Sequence, residues 1–249
     1  MADAAGNDRY GRDLHEVRYV HDELLALVDR LPERDFAGPS LLAGWTRAHV
    51  AAHLVHNAEG LTRLATWART GVETPMYASA ESRAADIDHT ARHRPADIRE
   101  KLAAACTHLV LALDDLPVAA RSVEVQSLLP PAFPAALLPW QRVRECWVHL
   151  VDLDAGEGFG AVPAPVQAAL LDEAAERSIP RGVEPAVAVV DEGGTWWQLG
   201  DGLVTTTLTG PRPALLAWLT GRDGGAAGGL VATDPADAAV PVPGPPPWP

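Results

Sequence analysis

Positive charge is scarce in this sequence of 249 residues, in which 20 Lys and Arg residues face 33 Asp and Glu residues. The resulting net charge of −13 excludes the broad basic surface by which proteins bind nucleic acid. Lysine is the scarcer basic residue, since Lys101 is the only one. We interpret this arginine preference as a mark of a GC-rich genome rather than as a requirement of the fold.

Cysteines and long apolar runs are also few. Cys106 and Cys146 could form one disulfide at most, and we expect both to be buried free thiols. The longest apolar candidate, residues 102–113, is shorter than the roughly 20 residues of a membrane helix and is interrupted by Thr107 and His108. Residues 1–13 are polar and charged, unlike a secretory signal. We therefore expect a cytoplasmic protein with no membrane partner.

Helical periodicity dominates the first part of the chain. Apolar residues recur at steps of three and four in four segments, and Thr46 is placed to cap the second of them. The pattern predicts helices over about 13–31, 47–70, 95–116 and 138–153. Four long helices joined by irregular segments indicate an antiparallel four-helix bundle, in which side chains from different helices converge on a core site.

A Gly- and Pro-rich stretch around residues 156–165 indicates a linker, so we predict two domains, 1–157 and 158–249. The second domain reads as a smaller α/β unit, and the whole chain as an α+β two-domain protein. Its strands at 196–199 and 203–208 flank the Asp201-Gly202 turn, a hairpin pattern. The other predicted elements are helices at 165–177 and 213–220, an apolar run at 186–190, and a Pro-rich extended tail at 235–249.

One face of the fourth predicted helix carries Glu145 and His149, four residues apart and therefore one turn above each other. On the second helix, His49, His53 and His56 lie near one stripe. Two histidines and one glutamate with an open fourth position form the ligand set of catalytic zinc sites. Spacing alone does not choose among the histidines, and a Glu–His pair at this spacing also occurs on helix surfaces without any metal. We expect surface or capping positions for His15, His21, His89, His93 and His108.

Several segments resemble the mycothiol-dependent maleylpyruvate isomerases. Residues 40–53, SLLAGWTRAHVAAH, resemble the opening of that family, and the likeness continues through 67–77. It returns in 144–153, RECWVHLVDL, and at Gly221-Arg222. The resemblance implies a DinB-like four-helix bundle followed by a smaller α/β domain.

The same resemblance implies a set of site residues. It implies zinc bound by His53, Glu145 and His149, with His49 outside the ligand set. It also favours Arg222 as a group that binds a substrate carboxylate in the catalytic site, because a guanidinium can hold a carboxylate through two hydrogen bonds. The alternative is that Arg222 caps the carbonyls at the end of a short helix.

The implied reaction uses an external thiol, because neither cysteine of this chain matches a nucleophile of the family. Mycothiol, the small thiol of actinobacteria, would be activated by zinc and add to the double bond of maleylpyruvate; after bond rotation its elimination would leave fumarylpyruvate, in gentisate degradation. The alternatives are a mycothiol S-transferase acting on another electrophile and a non-catalytic metal-containing protein that binds small molecules. We expect a monomer whose partners are mycothiol and a small-molecule substrate.

Overall fold

The computed structural model describes residues 2–128, 130–178, 182–222 and 228–245, without the side chains of residues 2–8. The chain divides into two compact units, Met1–Gly156 and Glu157–Pro249. The first is mainly helical and the second contains a mixed sheet, so the predicted α+β class is confirmed. The predicted domains 1–157 and 158–249 stay a prediction.

The first unit is built mainly from α-helices, of which the described residues contain five: α1 (Ala2–Arg30), α2 (Arg47–Thr70), α3 (Ala80–Ala91), α4 (Pro95–Asp114) and α5 (Leu138–Asp152). The four long predicted helices correspond to α1, α2, α4 and α5. Helix α2 packs against α4 and α5, and α1 packs against the same two helices from another side. Their buried apolar residues, among them Val20, Leu54, Leu109 and Val143, form the core.

Helix α3 and a short strand pair were not predicted. Helix α3 packs on α2, but Ile87 and Thr90 are its only buried residues, so its sequence has no continuous apolar stripe. In the connection between α4 and α5, strand β1 (Glu124–Val125) pairs antiparallel with β2 (Phe133–Pro134). Strands of two residues leave no alternating pattern long enough to detect.

The second unit consists, within its described residues, of helices α6 (Ala164–Ser178) and α7 (Arg212–Leu219) and a sheet of five strands. The strands are β3 (Ala186–Asp191), β4 (Trp196–Leu199), β5 (Val204–Gly210), β6 (Val231–Thr233) and β7 (Ala239–Val240), in the spatial order β4-β3-β5-β6-β7. Strands β3 and β5 are parallel, and the other neighbouring pairs are antiparallel.

The predicted hairpin across Asp201-Gly202 is wrong, because β4 and β5 are not neighbours. Both pair with β3, which lies between them and is buried along most of its length. An apolar run such as β3 takes a central position because both of its faces need cover. Strand β7 also lies within the tail predicted to be extended, whose residues 246–249 are outside the described part of the chain.

Cys106 and Cys146 are both free and buried, as predicted. Among the described residues there is no helix with the length and apolar character that crossing a bilayer requires.

Candidate metal centre

Helices α2 and α5 bring together the three ligands that the family resemblance implied. His53 on α2 and Glu145 and His149 on α5 each offer a ligand atom, and these atoms lie within 4.8 Å of one another. The Nε2 atom of His53 is 3.1 Å from Glu145 Oε2, and the Nε2 atom of His149 is 3.7 Å from the same oxygen. In the described part of the chain, this is the one group of three or more such side chains close enough to hold an ion.

The other two histidines on α2 are engaged elsewhere. His49 belongs to the N-terminal cap of the helix: its backbone N–H donates to Thr46 Oγ1, and its Nδ1 accepts from the Thr46 backbone N–H at 3.3 Å. His56 Nε2 is 2.8 Å from Thr90 Oγ1 on α3, and its Nδ1 is 3.1 Å from Glu59 Oε2. The capping box therefore holds His49 away from the cluster, which spacing along the helix could not reveal.

Electrostatics leaves Glu145 ionised and His53 neutral. The pKa of His53 is lowered to about 4, chiefly by burial and also by the neighbouring His149, and Glu145 opposes this only in part. Burial would raise the pKa of Glu145, but hydrogen bonds with His149 and His53 hold it well below its usual value. An ionised carboxylate and a neutral imidazole are the forms that bind a metal ion.

Asp152 orients His149, the third candidate ligand. His149 Nδ1 is 2.8 Å from Asp152 Oδ2, and the Asp152 side chain is fully buried. Burial alone would lower the pKa of His149, but the hydrogen bonds with Asp152 and Glu145 outweigh it and raise that pKa. With Nδ1 held by Asp152, His149 turns its Nε2 atom toward Glu145, where that nitrogen could bind a metal ion. This is the carboxylate–histidine arrangement that commonly supports a metal ligand.

We expect Asp152→Asn to weaken zinc binding by roughly tenfold to a hundredfold, the usual effect of losing a carboxylate that orients a ligating histidine. Competition with a chromophoric chelator measures the affinity. Asp154→Asn is the matched control, because Asp154 is exposed and lies two residues further along the chain. Equal zinc affinity in Asp152→Asn and wild-type protein would show that Asp152 does not contribute to metal binding through His149.

A network of buried polar side chains contacts Glu145 on the side that faces the core. Asn57 Nδ2 donates to Glu145 Oε2 at 3.3 Å, while Asn57 Oδ1 accepts from Arg142 Nη1 at 2.8 Å. The fully buried Arg142 also donates to His21 Nε2 at 2.9 Å. Burial lowers the pKa of His21 to about 2, which keeps this ring neutral and able to accept. The surface or capping position expected for His21 is therefore wrong.

Two arginines and two aromatic residues surround the cluster. Arg83 Nη2 on α3 is 3.0 Å from His53 Nδ1, and Arg144 Nη2 is 3.4 Å from Glu145 Oε1. The Trp45 ring centroid lies 5.8 Å from that of His53, and Arg83 Cζ lies 5.6 Å from the centre of the Tyr77 ring. Two positive charges thus lie beside the cluster although the chain as a whole is strongly acidic. Sequence reasoning did not identify Arg83, because α3 itself was not predicted.

Arg222 belongs to the second unit, just after α7. Its Nη1 donates to Thr220 O at 2.6 Å, and its backbone N–H donates to Ala217 O at 2.7 Å. Gly221 has a φ of 71°, the left-handed conformation common where helices end. These contacts agree with a capping position. The role of Arg222 as a carboxylate-binding group stays a prediction.

Comparisons with known proteins agree with the resemblance in residues 40–53 and 144–153. The family model described as "Mycothiol maleylpyruvate isomerase N-terminal domain" matches residues 17–154. A crystal structure of the mycothiol-dependent maleylpyruvate isomerase is 29% identical, with a TM-score of 0.87, and the match covers 96% of this chain and 97% of that one. A crystal structure of a histidine-to-alanine mutant of the isomerase gives the same values. Among curated protein sequences, no significant match is found.

Proposed function

Because the chain belongs to the family of the mycothiol maleylpyruvate isomerase N-terminal domain, we propose that it converts maleylpyruvate to fumarylpyruvate with mycothiol as the thiol, a step of gentisate degradation. The observation that carries the proposal is the convergence of His53, Glu145 and His149 in a chain that resembles the isomerase over nearly its full length. A cis–trans isomerisation of this kind needs a nucleophile that adds and leaves again.

The donor set of the cluster fits zinc. Two imidazole nitrogens and one carboxylate oxygen are the protein ligands of catalytic zinc sites, which keep a further position for an exchangeable group. His53, Glu145 and His149 would hold the ion. Bound there, zinc would lower the pKa of a coordinating thiol enough for the thiolate to form at neutral pH.

The reaction itself requires only a transient covalent bond to the substrate. The carbon–carbon double bond of maleylpyruvate is conjugated to a ketone, so addition of a thiolate converts it to a single bond and moves the electron pair onto the carbonyl oxygen. The single bond can rotate. Return of the electron pair expels the thiolate and restores the double bond in the trans configuration, so that mycothiol is not consumed.

The residues around the cluster orient its side chains and place positive charge beside it. Asp152 fixes the orientation of His149, and Asn57 together with Arg142 fixes the carboxylate of Glu145. Arg83 and Arg144 place positive charge beside the cluster. Since the protein carries a net charge of −13, this local positive charge would favour entry of a dianionic substrate.

The cysteines of the chain are unsuited to act as the nucleophile. Cys106 and Cys146 are buried, and burial raises the pKa of Cys146 to about 12. A thiol with so high a pKa is almost entirely protonated at neutral pH. Cys106 Sγ accepts from Arg142 Nη2 at 3.4 Å, which is a contact within the core rather than with the metal cluster.

We therefore expect the Cys106→Ala, Cys146→Ala double variant to isomerise maleylpyruvate at a rate near that of the wild type, and still only with mycothiol present. Steady-state turnover and thermal unfolding are measured on the same preparations. Cys106→Ser with Cys146→Ala keeps an acceptor for Arg142 and controls for loss of packing. Abolished turnover in a variant that folds and binds zinc would instead indicate that a cysteine of the protein is the nucleophile.

The proposal is tested by following maleylpyruvate by proton NMR with zinc-loaded protein, with and without mycothiol. We expect fumarylpyruvate to accumulate only when zinc and mycothiol are both present. A stable mycothiol conjugate in place of fumarylpyruvate would identify a mycothiol S-transferase. Zinc binding with no change in maleylpyruvate would favour a non-catalytic protein and contradict the proposal.

A further inference from the structure

The hydrogen bond between Arg83 and His53 fixes where the proton of this imidazole lies. Arg83 Nη2 is 3.0 Å from His53 Nδ1, and a guanidinium has donors but no acceptor. Nδ1 must therefore accept, which places the ring proton on Nε2. There it donates to Glu145 Oε2 at 3.1 Å.

A metal ion in the cluster requires the opposite arrangement. The Nε2 atoms of both histidines face Glu145, so His53 would bind the ion through Nε2 and carry its proton on Nδ1. His149 already satisfies this requirement, since its Nδ1 faces the carboxylate of Asp152. His53 does not, because its Nδ1 faces a cation. Two donors cannot share a hydrogen bond, so the contact between Arg83 and His53 cannot persist once the metal is bound.

Tyr77 keeps the released guanidinium beside the cluster. Arg83 Cζ lies 5.6 Å from the centre of the Tyr77 ring, a cation–π distance that does not depend on His53. Burial raises the pKa of Tyr77, Arg83 opposes this rise, and Glu145 adds to it. The Tyr77 hydroxyl is thus close enough to interact electrostatically with both Arg83 and Glu145. A guanidinium held there, and no longer hydrogen-bonded to His53, can donate two parallel hydrogen bonds to a carboxylate.

We propose that Arg83 binds a carboxylate group of the substrate beside the metal, and that metal binding at His53 releases Arg83 for this role. The inference rests on the proposed function for the anionic character of the substrate. It goes beyond that function by assigning a substrate-binding residue on α3 and by ordering the events, with the metal before the anion.

The first test uses maleate as a dicarboxylate probe, titrated calorimetrically into zinc-loaded protein without mycothiol. We expect Arg83→Met to weaken maleate binding roughly tenfold to a hundredfold, the range for loss of a hydrogen bond to a charged group, and Arg83→Lys to weaken it less. Arg92→Met is the matched control, because Arg92 is an exposed residue at the end of the same helix. Maleate binding that is absent from the wild type, or equal in Arg83→Met, would overturn the proposal.

The second test separates substrate binding from a structural role. We expect Arg83→Met to bind zinc at least as tightly as the wild type, because the substitution removes a nearby positive charge and a competing hydrogen bond. Nitrogen-15 NMR should show the His53 proton on Nε2 in metal-free protein and on Nδ1 after zinc is added. Weaker zinc binding in Arg83→Met, or a His53 proton that stays on Nε2, would contradict the release of Arg83 by the metal.

These measurements need neither mycothiol nor turnover. A protein that fails to isomerise maleylpyruvate can therefore still show maleate binding that depends on Arg83. Conversely, an active isomerase whose Arg83→Met variant binds maleate normally would keep its proposed function and lose the role assigned to Arg83.

Discussion

Glu145→Ala should yield a folded protein without stoichiometric zinc, and its turnover should fall by roughly a thousandfold or more, since metal catalysis contributes several kcal/mol to such reactions. Glu145 is the candidate ligand that lies close to both histidines: its Oε2 is 3.1 Å from His53 Nε2 and 3.7 Å from His149 Nε2. We expect His53→Ala and His149→Ala to lose zinc as well. Elemental analysis and circular dichroism of the purified variants measure metal content and folding.

His49→Ala is the control for this series, because His49 lies one turn from His53 on α2 but binds the helix cap at Thr46. It should keep its zinc and lose only a modest amount of stability. The ligand assignment would be wrong if all three ligand variants folded with stoichiometric zinc while His49→Ala alone lost it. That result would move the metal site along α2.

Arg222→Ala should lower the catalytic efficiency at least roughly thirtyfold, because loss of a charge-assisted contact to a carboxylate commonly costs about 2 kcal/mol or more. Arg222→Lys keeps the charge but loses the planar pair of donors, so we expect a smaller loss. Zinc content should stay normal in both variants. Steady-state kinetics on preparations of known zinc content provide the measurement.

The competing interpretation of Arg222 makes a different prediction. As a helix cap, Arg222 donates to Thr220 O at 2.6 Å, and its removal would reduce stability while leaving the catalytic efficiency of the folded protein unchanged. An unchanged efficiency would therefore exclude Arg222 from the reaction.

Sequence reasoning succeeded where a strong local pattern coincides with burial. The long helices have apolar stripes that pack against each other, and the ends of α2 are set by Thr46 and Gly71, whose cap geometries are determined locally. Helix α3 was not predicted because it buries little apolar surface and its sequence therefore lacks an apolar stripe. The pairing of β4 and β5 with β3 was missed because pairing depends on tertiary contacts rather than on the turn at Asp201-Gly202.

The candidate site shows the same division. Helical spacing placed Glu145 and His149 on one face, but the choice of His53 over His49 needed either the family resemblance or the observed cap at Thr46. Asp152 lies three residues after His149, a spacing that brings the side chains together on a helix, yet nothing in the sequence marks it as fully buried. Arg83 is distant in sequence from α5 and reaches the cluster only through the packing of α3 on α2.

We propose that mycothiol adds to the substrate and is released unchanged, and the most direct test of this is the amount of free mycothiol after many turnovers. Zinc-loaded protein is incubated with mycothiol and a large excess of maleylpyruvate, and product and free thiol are counted by NMR and thiol titration. We expect many molecules of fumarylpyruvate for each mycothiol, with all of the mycothiol recovered free. Loss of one mycothiol for each maleylpyruvate consumed, or turnover at the full rate without any mycothiol, would contradict the claim.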